Sequence, residues 1–257
     1  MEEFTWEFLE REQTKFQDWA INNNFILYHE IKNGICLMLN LSRQIGSKLF
    51  EDDKNRDPLS QYTAMHTFFL SGIGNIEMSI KSTLGYKLQA SFVLLRSSHE
   101  VITRMLYYLV LNSNEKKAYL KKILTKPDAR ENIKELCNKI YGNNKNNSDN
   151  LYGMYKLLSE QMHKHWRSLP ILIKYDKTWV SNHLKLNLMM MCQQLMIYTI
   201  FYLQELDDHY KSKISEFLIG THDLKVGVRG LFPENFFIQD INDLVFKLKE
   251  IKLERRY

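Results

Sequence analysis

The chain has 257 residues, of which 44% are hydrophobic and 25% are charged, and its formal net charge is +5. This composition is typical of a globular protein and excludes disorder as the dominant state. Only 4 prolines and 10 glycines interrupt the chain, which favours long elements over the many turns of a β-sandwich or barrel. We therefore expect an all-α fold: a large helical bundle with long central helices, forming a single helical domain over residues 1–257.

The cysteines and the apolar runs indicate the compartment. Cys36, Cys137 and Cys192 are far apart and form no CxxC pair, so we expect neither a disulfide framework nor a zinc ribbon. The sequence opens MEEFTWEFLERE, without the basic and apolar regions of a signal peptide. The richest apolar run, residues 184–203, contains several polar side chains. We expect a cytoplasmic location, no transmembrane segment and no membrane partner.

The first half of the chain predicts long helices. Residues 3–22 and 25–50 are amphipathic at helical spacing. Asp57 followed by Pro58 resembles an N-cap and first-turn pair, which predicts a helix from there to about Thr83.

A longer helix is predicted over residues 86–112, and it is the candidate central helix. Its apolar positions alternate by four and three, as in a heptad-like seam. The seam consists of Leu88, Phe92, Leu95, His99, Ile102, Leu106 and Leu109. A lone histidine in such a seam predicts a hydrogen-bonded core residue rather than a ligand.

The second half predicts shorter helices and one internal boundary. The further helices are predicted over residues 115–124, 128–141, 150–165, 180–210 and 238–254. The segment YGNNKNNSDN is typical of an exposed loop, so a subdivision of the domain is placed at residues 142–150. Residues 211–257 are predicted to be a C-terminal appendage.

Charge is distributed unevenly along the chain. Residues 1–57 carry seven Lys or Arg against eleven Asp or Glu, whereas residues 81–145 carry thirteen against five. A basic middle is an electrostatic footprint for RNA or a nucleotide, or else a solvated helix surface. The candidate nucleic-acid-binding residues are Lys116, Lys117, Lys121 and Lys122.

Polar residues interrupt the candidate central helix. Arg96, Glu100 and Arg104 follow each other at i, i+4 spacing, which predicts an ion-pair ladder. On the surface such a ladder contributes a few tenths of a kcal/mol per pair. If it is buried, it is either a device that fixes the bundle register or part of a site.

A second polar group lies in the helix predicted at 150–165. Ser159 and His163 share a helix face, with Glu160 beside them, so a hydroxyl, a carboxylate and an imidazole are available for acid-base chemistry. Glu160 and His163 also form one ExxH pair, but a carboxylate-bridged metal bundle needs two. No second ExxH pair is present in the chain, so we expect no metal and no cofactor.

Two blocks of the sequence resemble known helical proteins. QASFVLLRSSHEVITRMLYYL at 89–109 and LYGMYKLLSEQMH at 151–163 resemble bacterial all-helical proteins with an "LLR…E" helix and a later "Y..LSE..H" helix. These bacterial proteins are in turn distantly similar to the HEPN superfamily. The resemblance implies a helical bundle, a homodimer, and ribonuclease activity in a toxin–antitoxin or phage-defence system with a protein partner.

The resemblance also implies roles for individual residues. Arg96 and Glu100 match the first block, whereas the matches in the second block are Tyr155, Ser159, Glu160 and His163. HEPN ribonucleases have an arginine shortly before the histidine, and here no arginine lies at that distance from His163. In a ribonuclease, Arg96 would have to reach His163 from the neighbouring helix. Arg96 would stabilise phosphate charge and His163 would act as acid or base, without metal.

The sequence therefore predicts a HEPN-like helical protein that engages RNA or a nucleotide in a bacterial defence or toxin-like system, with or without ribonuclease activity. The candidate catalytic residues are Arg96, Glu100, Ser159, Glu160 and His163. The competing hypothesis is a non-catalytic scaffold or interaction protein, in which these polar residues form a buried network that holds the bundle in register.

Overall fold

The computed structural model describes residues 6–51, 60–85, 87–125, 132–164 and 177–223. In these ranges the chain forms nine α-helices and no strand, which confirms the all-α prediction. The helices are α1 (Trp6–Asn23), α2 (Phe25–Glu51), α3 (Gln61–Leu84), α4 (Leu88–Val110), α5 (Ser113–Thr125), α6 (Ile133–Tyr141), α7 (Lys145–Lys164), α8 (Lys177–Phe201) and α9 (Asp208–Asp223).

Helices α3 and α4 form an antiparallel hairpin. Ser60 caps the N-terminus of α3, where its side chain accepts a hydrogen bond from the backbone N–H of Tyr62 at 3.3 Å. The predicted cap at residues 57–58 lies outside the described residues. At the other end, Gly85 donates its N–H to the carbonyl of Lys81, which closes the last turn of α3.

A cluster of three buried hydroxyls joins the two helices beside this turn. The Oγ atom of Ser91 on α4 lies 2.9 Å from that of Ser79 and 2.8 Å from the Oγ1 atom of Thr83. Thr83 also donates to the carbonyl of Ser79. Because each hydroxyl has a partner, the cluster fixes the register of the hairpin at little cost in buried polar groups.

Helix α8 runs through the middle of the described bundle, where it packs against α2, α3 and α4. Its residues 188–192 are all buried, so the helix is apolar on every side. The seam of α4 is also confirmed where it is described: Phe92, Leu95, His99 and Ile102 are buried, and Leu106 and Leu109 are partly buried.

The prediction of one helix over residues 180–210 is wrong, because α8 ends at Phe201 and α9 begins at Asp208. Asp207 starts the new helix by accepting the backbone N–H of Tyr210 at 2.9 Å. Two side chains of α2 hold the intervening turn: Gln44 donates to the Asp207 carboxylate and Lys48 donates to the carbonyl of Glu205. These long-range contacts leave no local sign in the sequence.

The loop predicted over residues 142–150 is shorter than expected, because α7 begins at Lys145. Gly142 ends α6 with a φ of 56°, a conformation that glycine adopts without strain. The side chain of Asn144 then accepts the backbone N–H of Asn147 and caps α7. Helices α6 and α7 both pack against α4 and share a small apolar cluster of their own.

Two further predictions concern membrane-spanning helices and the C-terminal segment. None of the helices in the described ranges is long and apolar enough to cross a membrane. The helix predicted over 238–254 lies outside these ranges, as does most of the predicted appendage over 211–257. The described start of that segment belongs to α9, which packs against α2 and α8.

Candidate functional site

The polar residues of α4 meet α7 at the edge of the bundle. Arg96 and Glu100 form an ion pair one helical turn apart, with the Nε atom 3.1 Å from Oε1. Their side chains are 30% and 27% exposed, so the pair is neither buried nor fully solvated. An ion pair in this position contributes no more than about 1 kcal/mol to stability, but solvent and ligands can reach it.

Arg96 also contacts α7 through Tyr155. Its Nη2 atom donates a hydrogen bond to the Tyr155 hydroxyl at 2.6 Å. The centre of the guanidinium group lies 4.8 Å from the centroid of the Tyr155 ring, which is a cation–π distance. The guanidinium is therefore held in one orientation by a carboxylate, a hydroxyl and a ring face.

A second ring and a second cation extend this contact. The rings of Tyr152 and Tyr155 stack with centroids 6.0 Å apart and an interplanar angle of 20°. The ammonium of Lys134 on α6 lies 5.7 Å from the centroid of Tyr152. Two stacked rings of α7 thus lie between a cation of α6 and a cation of α4, and we call Lys134, Tyr152, Tyr155 and Arg96 the cation–aromatic ladder.

His99 lies one turn from Arg96 but faces the core, as predicted. Its Nε2 atom donates to the carbonyl of Leu151 on α7 at 2.9 Å, which places the proton of the neutral ring on Nε2. Burial lowers the pKa of His99 to about 4. The imidazole is therefore neutral near pH 7 and serves the α4–α7 contact.

The three remaining candidate catalytic residues, Ser159, Glu160 and His163, all belong to α7, as Tyr155 does. Ser159 donates its hydroxyl to the carbonyl of Tyr155 within α7 at 2.8 Å, and Glu160 is exposed. His163 belongs to α7, but its side chain lies outside the described residues. The catalytic roles assigned to these residues stay a prediction.

The four candidate lysines of α5 differ in their surroundings. Lys117, Lys121 and Lys122 are exposed. Lys116 is half-buried, and its ammonium lies 5.3 Å from the ring centroid of Tyr108 and 5.9 Å from that of Phe201. Lys116 therefore covers core aromatic rings, and the other three remain available to a phosphate.

The described side chains offer no cluster of three or more histidines, cysteines or acidic residues that is arranged to hold a metal ion. What they do offer is a partly exposed surface on which two aromatic rings lie between two positive charges. In chemical terms, such a surface can hold phosphate groups and planar bases, because cations pair with the former and ring faces stack on the latter.

Of the ladder, only Arg96 was a candidate residue: Lys134 and Tyr152 were not singled out from the sequence, and Tyr155 was given only as a match to the second block. Along α5 itself the lysines are accompanied by one aromatic residue, Tyr119. The signal in the sequence is the i, i+3 spacing of Tyr152 and Tyr155, which places both rings on one face of α7. The cations that flank them come from other helices.

Comparison with known proteins adds no relative: no family model, no curated protein sequence and no solved structure is similar enough to this chain to count as a match.

Proposed function

We propose that this protein binds single-stranded RNA on the surface formed by α5, α6, α7 and the outer face of α4. The observation that carries the proposal is the cation–aromatic ladder, in which Lys134 and Arg96 flank the stacked rings of Tyr152 and Tyr155. Proteins that bind single strands combine a positive track for the backbone with aromatic rings for the bases.

Both cations of the ladder, Arg96 and Lys134, belong to the most basic part of the chain. Thirteen Lys or Arg residues stand against five acidic residues between positions 81 and 145. The exposed Lys122 is near enough to Glu135 on α6 to contribute to lowering the pKa of that carboxyl, although Lys139 has the larger effect. Positive charge thus continues from α5 across α6 to the ladder, which supports a track for several phosphates.

The exposed end of the ladder is where a base would enter. Lys134 is exposed, and its ammonium lies over the ring of Tyr152 without a hydrogen bond to the hydroxyl. A base can replace the ammonium over this ring, and the lysine then pairs with the adjoining phosphate. Duplex RNA keeps its bases stacked inside the helix, so the proposal favours single strands.

Fluorescence anisotropy with a labelled single-stranded RNA tests the proposal. We expect Lys134→Ala and Tyr152→Ala each to weaken binding about ten-fold, since stacking on one aromatic ring contributes roughly 1–3 kcal/mol. The affinity should also fall steeply with added salt. A duplex of the same sequence should bind more weakly.

The chain provides a matched control on α2. Lys32 lies over the ring of Tyr28 at 5.7 Å, the same distance as in the Lys134 pair, but outside the basic segment. Lys32→Ala and Tyr28→Ala should leave the affinity for RNA unchanged. Equal losses from both pairs, or no loss from the Lys134 pair, would contradict the assigned surface.

Two contacts between α4 and α7 favour the alternative of a non-catalytic scaffold. Arg96 joins α4 to α7 through the Tyr155 hydroxyl, and His99 joins the same helices through the Leu151 carbonyl. These contacts hold the bundle in register whether or not RNA binds. A protein that binds no single-stranded RNA in the anisotropy experiment would support this second function.

Cleavage of bound RNA is a separate part of the hypothesis, because it requires His163. An RNA-integrity assay on the purified protein, with Arg96→Ala and His163→Ala variants whose helicity is checked by circular dichroism, distinguishes binding from cleavage. The homodimer, the partner protein and the defence setting rest on the resemblance alone.

A further inference from the structure

A groove runs between α2 and α9, on a side of the bundle that plays no part in the RNA-binding proposal. Its cavity volume is about 320 Å³, which is within the range of sites that bind small molecules. Cys36 belongs to its wall and is exposed. The groove is therefore open to solvent and to a ligand of modest size.

The two helices of the groove are antiparallel and in step. Gln44 of α2 donates a hydrogen bond to the side chain of Asp207, which lies just before α9. Ten residues back along α2, a Cβ atom at Gly34 would overlap with the ring of Phe217, which is ten residues on from Asp207. Because both helices rise by about 1.5 Å per residue, the positions of their side chains along the groove can be compared directly.

Charge is separated along the groove. By this register, Glu30 and Glu216 lie towards the end formed by the first half of α2, whereas Lys213 lies with Asn40 towards the other end. Glu216 accepts the hydroxyl of Ser212 at 2.9 Å and forms no ion pair with Lys213 in the described part. The groove thus has a negative end and a positive end, and both are available to a ligand.

Apolar and aromatic groups lie between the charged side chains. Leu37 is partly buried on α2, and Tyr210 and Phe217 lie two turns apart on α9. The amide of Asn33 adds a polar group to the α2 wall. Apolar walls with a few polar groups at fixed places are typical of sites that bind small organic molecules in one orientation.

The spacing of the charges sets the length of the ligand. Glu30 and Glu216 are level with positions 30 and 35 of α2, and Lys213 is level with position 38. Measured along the backbone, the middle of the acidic pair is therefore roughly 8 Å from the lysine. An extended peptide spans about 3.3–3.6 Å per residue, so two or three residues bridge this distance.

We infer that the groove binds a dipeptide or tripeptide whose two termini are free. The ammonium group pairs with Glu30 and Glu216, and the carboxylate pairs with Lys213 and the amide of Asn40. An apolar side chain of the peptide packs against Leu37. Because one terminus of a longer protein supplies only one of the two charges, the groove selects short peptides.

Cys36 makes binding measurable in the full chain. It is exposed in the groove, whereas Cys137 and Cys192 are buried, and burial raises the pKa of each of these thiols to about 12. Under native conditions a maleimide reagent therefore modifies Cys36 first. A peptide that occupies the groove slows this reaction, and modification of Cys137 or Cys192 reports unfolding.

The test compares three forms of one peptide, alanyl-leucyl-alanine. The first form has free termini, the second is acetylated at the amino group, and the third is amidated at the carboxyl group. We expect the free peptide to slow modification of Cys36, and each blocked form to bind at least about ten-fold more weakly, since each lacks one charged hydrogen-bonding group.

Variants of the chain assign each terminus to its end of the groove. Lys213→Gln should remove the preference for the free peptide over the amidated form and keep the preference over the acetylated form. Glu30→Gln with Glu216→Gln should do the opposite. Lys211→Gln changes a lysine of α9 that pairs with Asp208 and does not line the groove, and it should bind all three forms like the unmodified chain.

Three results would overturn the inference. Equal protection by the free and the blocked peptides would show that the charges of the groove do not recognise the termini. A heat of binding in isothermal titration calorimetry without protection of Cys36 would place the peptide elsewhere. Neither heat nor protection at millimolar peptide would show that the groove holds no such ligand.

Discussion

Two helix contacts of this bundle differ in whether their polar side chains have hydrogen-bond partners. Between α3 and α8, the side-chain amide of Gln194 is fully buried against Gly72, and neither its oxygen nor its nitrogen has a hydrogen-bond partner in the described part. Between α4 and α7, His99 and Arg96 each reach a polar partner on the other helix. The α3–α8 contact depends on shape. The α4–α7 contact depends on hydrogen bonds and on the protonation state of His99.

The difference has a consequence for function. A contact that depends on shape tolerates little change, because the side chains of a close-packed interior have no free space into which they can move. The α4–α7 contact ends at a partly exposed surface, where the same arginine that joins the helices is within reach of a ligand. This is why the RNA-binding proposal belongs to α4 and α7 and not to the more deeply buried α8.

Acid should break the α4–α7 contact first, and this is the largest effect we expect. The pKa of His99 falls from 6.5 to about 4 on folding, so the folded state binds fewer protons than the unfolded state below pH 6.5. The stability from the neutral imidazole is complete above pH 6.5 and is lost as the pH falls towards 4. The shift corresponds to roughly 3 kcal/mol of unfolding free energy.

Urea unfolding followed by circular dichroism, repeated from pH 7 to pH 4, measures this loss. The His99→Gln variant keeps an N–H for the Leu151 carbonyl and has no proton to gain. It should lose roughly 3 kcal/mol less than the unmodified chain over this interval. Parallel losses in the two proteins would mean that His99 does not control the acid sensitivity.

A methyl group should break the α3–α8 contact. In Gly72→Ala the new Cβ atom would overlap with the Oε1 atom of Gln194, so the buried amide has to move. We expect a loss of about 1–3 kcal/mol of unfolding free energy, as for other overpacked cores. Gly74→Ala on the same helix meets no atom within 4 Å, and it should stabilise the protein by up to about 1 kcal/mol.

Adding Gln194→Ala to Gly72→Ala identifies the cause of that loss. If the clash with the amide is responsible, the double variant recovers most of the stability that Gly72→Ala alone loses, and the two substitutions are strongly non-additive. Additive losses in chemical denaturation would assign the effect to the backbone of α3 instead.

The smallest effect is expected at the ladder. Tyr155→Phe removes the hydroxyl that accepts from Arg96 and keeps the ring beneath the guanidinium, so we expect a loss of about 1 kcal/mol. Tyr152→Phe keeps the stacked ring and should change stability by less than about 0.5 kcal/mol. Thermal unfolding of both variants checks this order, and a larger loss from Tyr152→Phe would contradict the assigned contacts.

The sequence predicts the core of this fold better than its junctions. The seam of α4 was predicted correctly, His99 included, because apolar spacing along one helix determines which side is buried. The turn after Phe201 was missed because no glycine or proline marks it, and the contacts from Gln44 and Lys48 come from a helix far away in the chain.

At the candidate site, too, contacts within one helix could be predicted and contacts between helices could not. Arg96 and Glu100 were paired correctly because i, i+4 spacing suffices for that pair. The ladder needs the positions of three helices at once, since Lys134, Tyr152 and Arg96 belong to α6, α7 and α4. Spacing within one helix identifies the two tyrosines but not the cations that lie over them.

Crosslinking tests most directly whether the ladder binds RNA. A single-stranded RNA that contains 4-thiouridine is bound to the full chain, irradiated, and the modified peptides are identified by mass spectrometry. We predict crosslinks at Tyr152 and at the adjoining surface of α6, which are lost in the presence of excess unlabelled single strand. Crosslinks confined to α2 and α9, or bound RNA that never crosslinks to α7, would contradict the account.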